Sequence, residues 1–248
     1  MSVGFRVFGR GVMPTAAQVK AYEGIESSNL ADAMHGLGAM RADITPVYRP
    51  MRPFAGPALT VTVSPGNGMM IRKAIEVSRP GDVIVVNAGG VRSRAVLGGN
   101  VAIDMVAHGI AGLVVDGAIR DADELRDLDL PVYALAVTPR SGSDPSGRGE
   151  VLAPAACGDV AVLPGDLVVA DADGITVVPL ADADEVLAAA LSVRARKGGK
   201  DDLADRLASA RAGTLTAYDP AAVARALAAA GCADLATPWP QPRATPPD

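Results

Sequence analysis

Two short apolar runs, Val83–Val86 and Leu113–Val115, limit what this chain can fold into more than any other feature. Neither run alternates with polar residues, so both read as strands buried on two faces. Between them stand a glycine-rich loop, Ala88 to Gly99, and a helical segment, Asn100 to His108, with Gly109 as its stop signal. A strand, helix, strand crossover makes the two strands parallel and gives the connection a right hand. The loop after the first strand and the turn after the second then emerge at the same carboxyl edge of the sheet. Open α/β sheets bind their ligands at that edge. The stretch Gly81 to Asp121 therefore predicts an α/β fold with a site at a known place.

Composition agrees with that class. Hydrophobic residues make up 49% of 248 positions and aromatics only 3%, so the core must be built from Ala, Val, Leu and Ile. Such a core suits parallel strands covered by helices. Further strands are expected at Ala58–Val63, Pro131–Val137, Leu167–Ala170 and Ile175–Leu180, and broken β structure over Glu150–Leu163. Helices are expected after Thr15, after a cap at Ser27 or Ser28, at Met69–Val77, at Asp121–Leu128 and over most of 182–230. Pro80-Gly81-Asp82 recurs as Pro164-Gly165-Asp166, each time before an apolar strand. No composition shift divides the middle of the chain. The organisation read from this is an N-terminal arm (1–14), one α/β domain (15–197), C-terminal helices (198–236) and a proline-rich tail (237–248).

Several function classes recede. The net charge is −5 and no basic run occurs, which argues against a nucleic-acid groove. Cys157 and Cys232 form no CxxC or Cys/His pattern, so neither a disulfide framework nor a structural zinc site is expected, and a reducing cytoplasm is the natural setting. No segment approaches ~20 uninterrupted apolar residues, so no membrane span is expected.

At the carboxyl edge the loop delivers Gly98-Gly99-Asn100 to a helix start, whose first amides lack intrahelical acceptors and suit a carboxylate or phosphate. The turn after the second strand delivers Arg120, which can grip a carboxylate with two donors, and Asp121, which can ligate a hard divalent cation. Structural alternatives stay open. Asn100 can be a plain N-cap, and Asp121 with Glu124 matches a capping box, with Asp in place of Ser or Thr. Arg92 and Arg94 add positive charge to the glycine loop or simply face water, and Asp104 is more simply a solvated helix residue. His35 and His108, the two histidines, sit near helix ends and read as structural.

GDVIVVNAGG, GGNVAIDMVAHGIAGLVVDGAIRDADELRDLDLPVYA and PGDLVVADADGITVVP together resemble the RraA-like family, over about Ser27 to Ala190. That family includes class II pyruvate aldolases, such as 4-hydroxy-4-methyl-2-oxoglutarate aldolase, and regulators of ribonuclease E activity. The resemblance implies a compact α/β/α domain of the swivelling β/β/α type, assembled as trimers or hexamers with the site between subunits. It implies Mg2+ or Mn2+ on Asp121, a 2-oxo acid on Arg120, and the substrate carboxylate on the amides of Gly98, Gly99, Asn100 and Val101. Asn67 and Arg94 become polar contacts near the site. Asp32, in Ala31-Asp32-Ala33-Met34, aligns with an early family Glu contributed by a neighbouring subunit. The implied chemistry is lyase chemistry, retro-aldol cleavage to pyruvate or oxaloacetate decarboxylation, through a metal-stabilised enolate. The chain departs from the aldolases where they carry an acid that assists proton transfer and this chain has Gly99. It departs again where Arg194 to Lys197 replace C-terminal acids, and in a longer Thr138–Gly149 loop.

Overall fold

The computed structural model describes residues 3–142, 147–197, 203–213 and 219–233. The chain divides into two compact units, Met1–Lys197 and Gly198–Asp248. The first begins with β1 (Phe5–Val7), α1 (Ala16–Tyr22), α2 (Ser27–Ala33), β2 (Thr45–Pro46), β3 (Phe54–Val63), α3 (Met69–Val77) and β4 (Val83–Asn87). There follow α4 (Gly99–Ala107), β5 (Gly112–Ile119), α5 (Ala122–Asp127), β6 (Val132–Val137), β7 (Gly149–Val151), β8 (Ala155–Cys157) and β9 (Val160–Val162). The unit closes with β10 (Leu167–Asp171), β11 (Gly174–Val178) and α6 (Ala183–Lys197). The second unit contains α7 (Leu203–Arg211) and α8 (Pro220–Ala229). The proline-rich stretch 237–248 lies outside the described residues.

The main sheet runs β1-β7-β3-β4-β5-β6-β2, with β3, β4, β5 and β6 parallel to one another. Val83 lies opposite Gly112 and Asn87 opposite Asp116, so the predicted crossover is present in register. Successive side chains of these strands enter different cores. Ile84, Val86, Leu113 and Val115 pack with Ile71, Ala74, Val101, Met105 and Leu125 from α3, α4 and α5. Val83, Val85 and Val114 pack on the other face with Phe54, Cys157, Val162, Val168 and Val177. Beyond that layer, Leu167, Val169 and Val178 bury a third cluster against Tyr22, Leu30, Val186 and Ala190 of α1, α2 and α6. The layers are thus helix, sheet, sheet, helix. The runs Val83–Val86 and Leu113–Val115 lack polar alternation because both of their faces are covered.

The recurring Pro-Gly-Asp device is one turn built twice. Gly81 and Gly165 both take positive φ, 90° and 95°. Asp82 donates its amide to Arg79 O and Asp166 to Leu163 O, each at 3.1 Å. That is a type II turn, with Pro preset at the second position and Gly required at the third. Each Asp carboxylate then accepts the amide three residues back, Arg79 at 2.7 Å and Leu163 at 2.8 Å.

Three expectations change. Glu26, not Ser27 or Ser28, occupies the cap position of α2. Asp171 reaches across from β10 and accepts both the Ser27 amide, at 2.8 Å, and the Ser27 hydroxyl, at 2.7 Å, so a distant carboxylate performs the local cap's work. The strand expected at Ala58 begins at Phe54, because residues 54–57 pair with β10 before residues 58–62 pair with β4. The N-terminal segment expected as an arm lies on its own sheet. β1 adds in parallel to β7, and Arg10 makes a doubly hydrogen-bonded ion pair with buried Asp82.

Cys157 is fully buried beside Val86, and burial first, then the Asp116 carboxylate, push its thiol up to about 12. Cys232 is exposed. Ellman's reagent at pH 8 is expected to titrate one thiol per native chain and two after denaturation, since thiolate and access are both required. Rapid modification of Cys157 in the native protein would contradict this packing.

Candidate functional site

Hydrogen bonds assemble the site at the end of β5. The register of β5 on β6 shifts between Val115 and Ala118, and the strand then continues through Ile119. On the other edge of β5, the loop returns as a short extended stretch. Ala95 bridges Ala118 in parallel, Val96 donates to Ala118 O at 2.9 Å, and Arg120 donates to Leu97 O at 3.1 Å. This pairing sets Gly98 directly beside Arg120. The start of the loop is fixed separately. The Asp116 carbonyl accepts the Ala88 and Gly90 amides, while its buried carboxylate takes Arg41 at 2.7 Å and the Gly158 amide at 3.1 Å.

Asp121 stands in the left-handed region, φ 60° and ψ 43°, and its side chain does not cap α5. Its Oδ2 instead accepts the Gly99 amide at 3.0 Å and lies 3.3 Å from Arg120 Nε. The capping-box reading of Asp121 and Glu124 is therefore not realised. The Glu124 carboxylate projects to Gly99: a Cβ added there would fall on Glu124 Oε2 and stand 2.6 Å from its Cδ. A Cβ added at Gly98 would fall on Asp121 Oδ2 and stand 2.7 Å from Arg120 Cγ. Gly98 leaves the space that Asp121 and Arg120 fill, and Gly99 the space that the Glu124 carboxylate enters. Glu124 is exposed and makes no ion pair among the described residues.

The helix-start amides are partly committed. Gly99 gives its N–H to Asp121, and Val101 gives its own to Gly98 O at 3.0 Å. Gly98 and Asn100 carry the remaining amides for an anion. Beside them opens a cavity of about 340 Å³, lined by Asn67, Arg72, Val96, Gly98, Asn100 and Arg120 among others. Asn67 is buried there and its Oδ1 accepts the Met69 amide at 2.8 Å, fixing the start of α3.

Other candidates lie elsewhere. Arg94 lays its stem on Gly66, beside the cavity and outside its lining. Arg92 is ion-paired to Asp43. Asp104 is exposed, 3.8 Å from Arg72. Asp32 is exposed on α2, which packs on α6 and β11, so one chain does not bring it to Asp121. His108 ends α4, its Nδ1 2.8 Å from Asp104 O, and His35 follows α2 with φ 55°. Two residues at the mouth escaped the sequence reading. Glu124 was legible only as a cap partner, and Arg72 only as a polar position on an amphipathic helix.

Residues 27–177 match the family model for RraA-like proteins, described as Aldolase/RraA. The chain belongs to the RraA-like family. It is 36% identical over 200 residues to a Halalkalibacterium halodurans protein provisionally named 4-hydroxy-4-methyl-2-oxoglutarate aldolase, covering 81% of this chain and 92% of that one. A Burkholderia mallei protein with the same provisional name is 41% identical over 143 residues, 56% of this chain and 85% of that one. Among solved structures, Streptomyces coelicolor RraAS2, described as an unusual member of the RNase ES inhibitor RraA family, superposes with a TM-score of 0.65. It is 31% identical over 75% of this chain and 96% of that one. The RNA-processing inhibitor RraA from Thermus thermophilis superposes at 0.57, with 34% identity over 62% of this chain and 92% of that one. The RraA-like architecture therefore carries the site.

Gly99→Ala is expected to push the exposed Glu124 carboxylate away from the helix start at a cost of no more than about 1 kcal/mol. Adding Glu124→Ala should remove that cost, as read by chemical denaturation. A larger loss that persists without Glu124 would contradict the contact.

Proposed function

We propose that this chain is a divalent-metal-dependent lyase acting on a small 2-oxo acid, by retro-aldol cleavage that releases pyruvate or by decarboxylation of oxaloacetate. The observation that carries this reading is the convergence of Arg120, Asp121 and Glu124 on the Gly98–Gly99 helix start. The aldolase names of its relatives support it. In this reading the site lies between subunits of a trimer or hexamer, with Asp32 supplied from a neighbour.

The donor set fits a hard cation. Asp121 offers a carboxylate oxygen at the mouth, and no three His, Cys, Asp or Glu side chains converge among the described residues. Magnesium or manganese held by Asp121 would therefore keep several waters. Such an ion supplies Lewis acidity at the C2 carbonyl oxygen.

The chain's own groups do the rest. The Gly98 and Asn100 amides, at the positive end of α4, orient the substrate carboxylate. Arg120 donates to the C2 oxygen and gains strength as negative charge develops there. In the retro-aldol cleavage the C4 hydroxyl gives its proton to a carboxylate, and we assign Glu124 to that role through a bridging water. The C3–C4 bond breaks, C4 leaves as a carbonyl, and the electron pair remains as pyruvate enolate. C3 then takes a proton. In the decarboxylation the departing group is CO2 and the same enolate forms, so one arrangement serves both reactions.

Pyruvate release from oxaloacetate and from 4-hydroxy-2-oxo diacids should appear with Mg2+ or Mn2+ and vanish with EDTA. Arg120→Ala should lower kcat/KM by about 100- to 1000-fold, the range for losing one preorganised donor. Absence of turnover with both metals and all these substrates would sink the proposal. The likeness to RraA proteins favours a second reading, a binding protein acting through its surface. A cellular phenotype fully retained by the Arg120→Ala chain would support that alternative.

A further inference from the structure

The root of the glycine loop is fastened by a charged pair that the proposed chemistry does not use. Asp116 lies near the end of β5, where the ladder to β6 is irregular. The register shifts between Val115 and Ala118, so Asp116 and Gly117 fall between its two regular parts. The Asp116 carboxylate attaches the strand there instead. Its Oδ1 accepts Arg41 Nη2 at 2.7 Å, and its Oδ2 accepts the Gly158 amide at 3.1 Å. Arg41 closes a ring, because its own amide donates to Gly158 O at 3.0 Å. Three segments far apart in the chain thus meet at one carboxylate: the stretch after α2, the end of β5 and the turn between β8 and β9.

The same residue holds the loop. The Asp116 carbonyl takes the Ala88 and Gly90 amides at 3.2 and 3.1 Å. Gly90, at φ 71°, lies against the ion pair, where a Cβ would stand 3.7 Å from Arg41 Nη2 and 3.8 Å from Asp116 Oδ1. Asp43, whose Oδ1 is 3.0 Å from Arg41 Nε, pairs with Arg92 further along the loop. The pair is well shielded, its side chains being 31% and 11% exposed, so loss of Arg41 would leave the Asp116 charge poorly compensated. Arg41 itself stands outside the cavity lining.

We infer that Arg41, acting through Asp116, is a positioning residue of the site. The ion pair fixes where the loop leaves β4 and where β5 resumes its ladder. Those two points set how the far end of the loop meets the end of the strand. Val96 donates to Ala118 O and Arg120 to Leu97 O, so a shift at the root is passed to Gly98, Asn100, Arg120 and Asp121. The kinetic consequence rests on the lyase reading; the placing of the helix-start amides does not.

Hydrogen exchange by mass spectrometry, read at peptides covering 95–101, tests this on the full chain and on its Arg41→Met, Arg41→Lys and Asp116→Asn forms. Pyruvate release from oxaloacetate with Mg2+ is followed in parallel. Asp116→Asn strands no buried charge, since Arg41 keeps Asp43 and Asp159, and it decides the matter if Arg41→Met does not fold. Exchange at 95–101 should be at least about 10-fold faster in the Met and Asn forms, with native protection kept in β10 and β11. In both, kcat should fall by about 10- to 100-fold, the scale of an ångström's misplacement, with KM changed by no more than about 3-fold because every binding group remains. Arg41→Lys keeps the charge without the planar fork and should recover part of both losses. Native exchange at 95–101 in Asp116→Asn, or faster exchange there with kcat intact, overturns the inference. Protection lost evenly over the whole chain marks a merely structural pair and overturns it too. Local loosening at 95–101 in a protein whose native form shows no turnover keeps the inference and sinks the lyase reading, so the two fail separately.

Discussion

The hydrogen bond from the Gly99 amide to the Asp121 carboxylate, 3.0 Å long, is the interaction on which the site depends. It ties the turn after β5 to the first residue of α4. Asp121 reaches that amide only because its backbone is left-handed, a conformation that Asp tolerates better than most residues but at some cost. The surroundings hold it there. Arg120 is bonded through its amide to Leu97, and Leu125 donates to the Asp121 carbonyl at 3.1 Å, so the residues on both sides are pinned. The carboxylate is kept at the site mouth by backbone geometry set in three segments at once.

Space matters as much as charge. Gly98 and Gly99 leave no room for a β-carbon because Asp121, Arg120 and Glu124 already fill those positions. The resemblance led us to expect that Gly99 removes an acid from the site. In the folded chain a carboxylate is present beside Gly99, delivered by Glu124 from α5, and the glycine is what admits it. A carboxylate thus stands at the helix start although position 99 itself carries none.

What was legible in the sequence was local or periodic. The β4–α4–β5 crossover could be read because its apolar runs, glycines and helix stop are contiguous, and the register places them as expected. The paired Pro-Gly-Asp turns could be read because each is closed by its own Asp. The Arg120-Asp121 pair and the Gly98-Gly99 step were found, since a parallel crossover must bring both to one edge. The rest depends on partners far apart in the chain. Asp171 caps α2 from β10, which no local signal announces. Glu124 matched a capping box, and only the left-handed turn at Asp121 shows that the box is not made. Arg72 borders a cavity only because the loop of Gly66–Gly68 and the end of β5 come together beside α3.

The central claim is that Asp121, Arg120 and the start of α4 form one metal and oxo-acid half-site. A crystal soaked with Mn2+ and oxalate, examined by anomalous difference maps, tests it most directly. The account predicts an Mn2+ peak on the Asp121 carboxylate, with oxalate against Arg120 and the Gly98 and Asn100 amides. An Mn2+ peak away from Asp121, or oxalate bound without contact to Arg120, would contradict it.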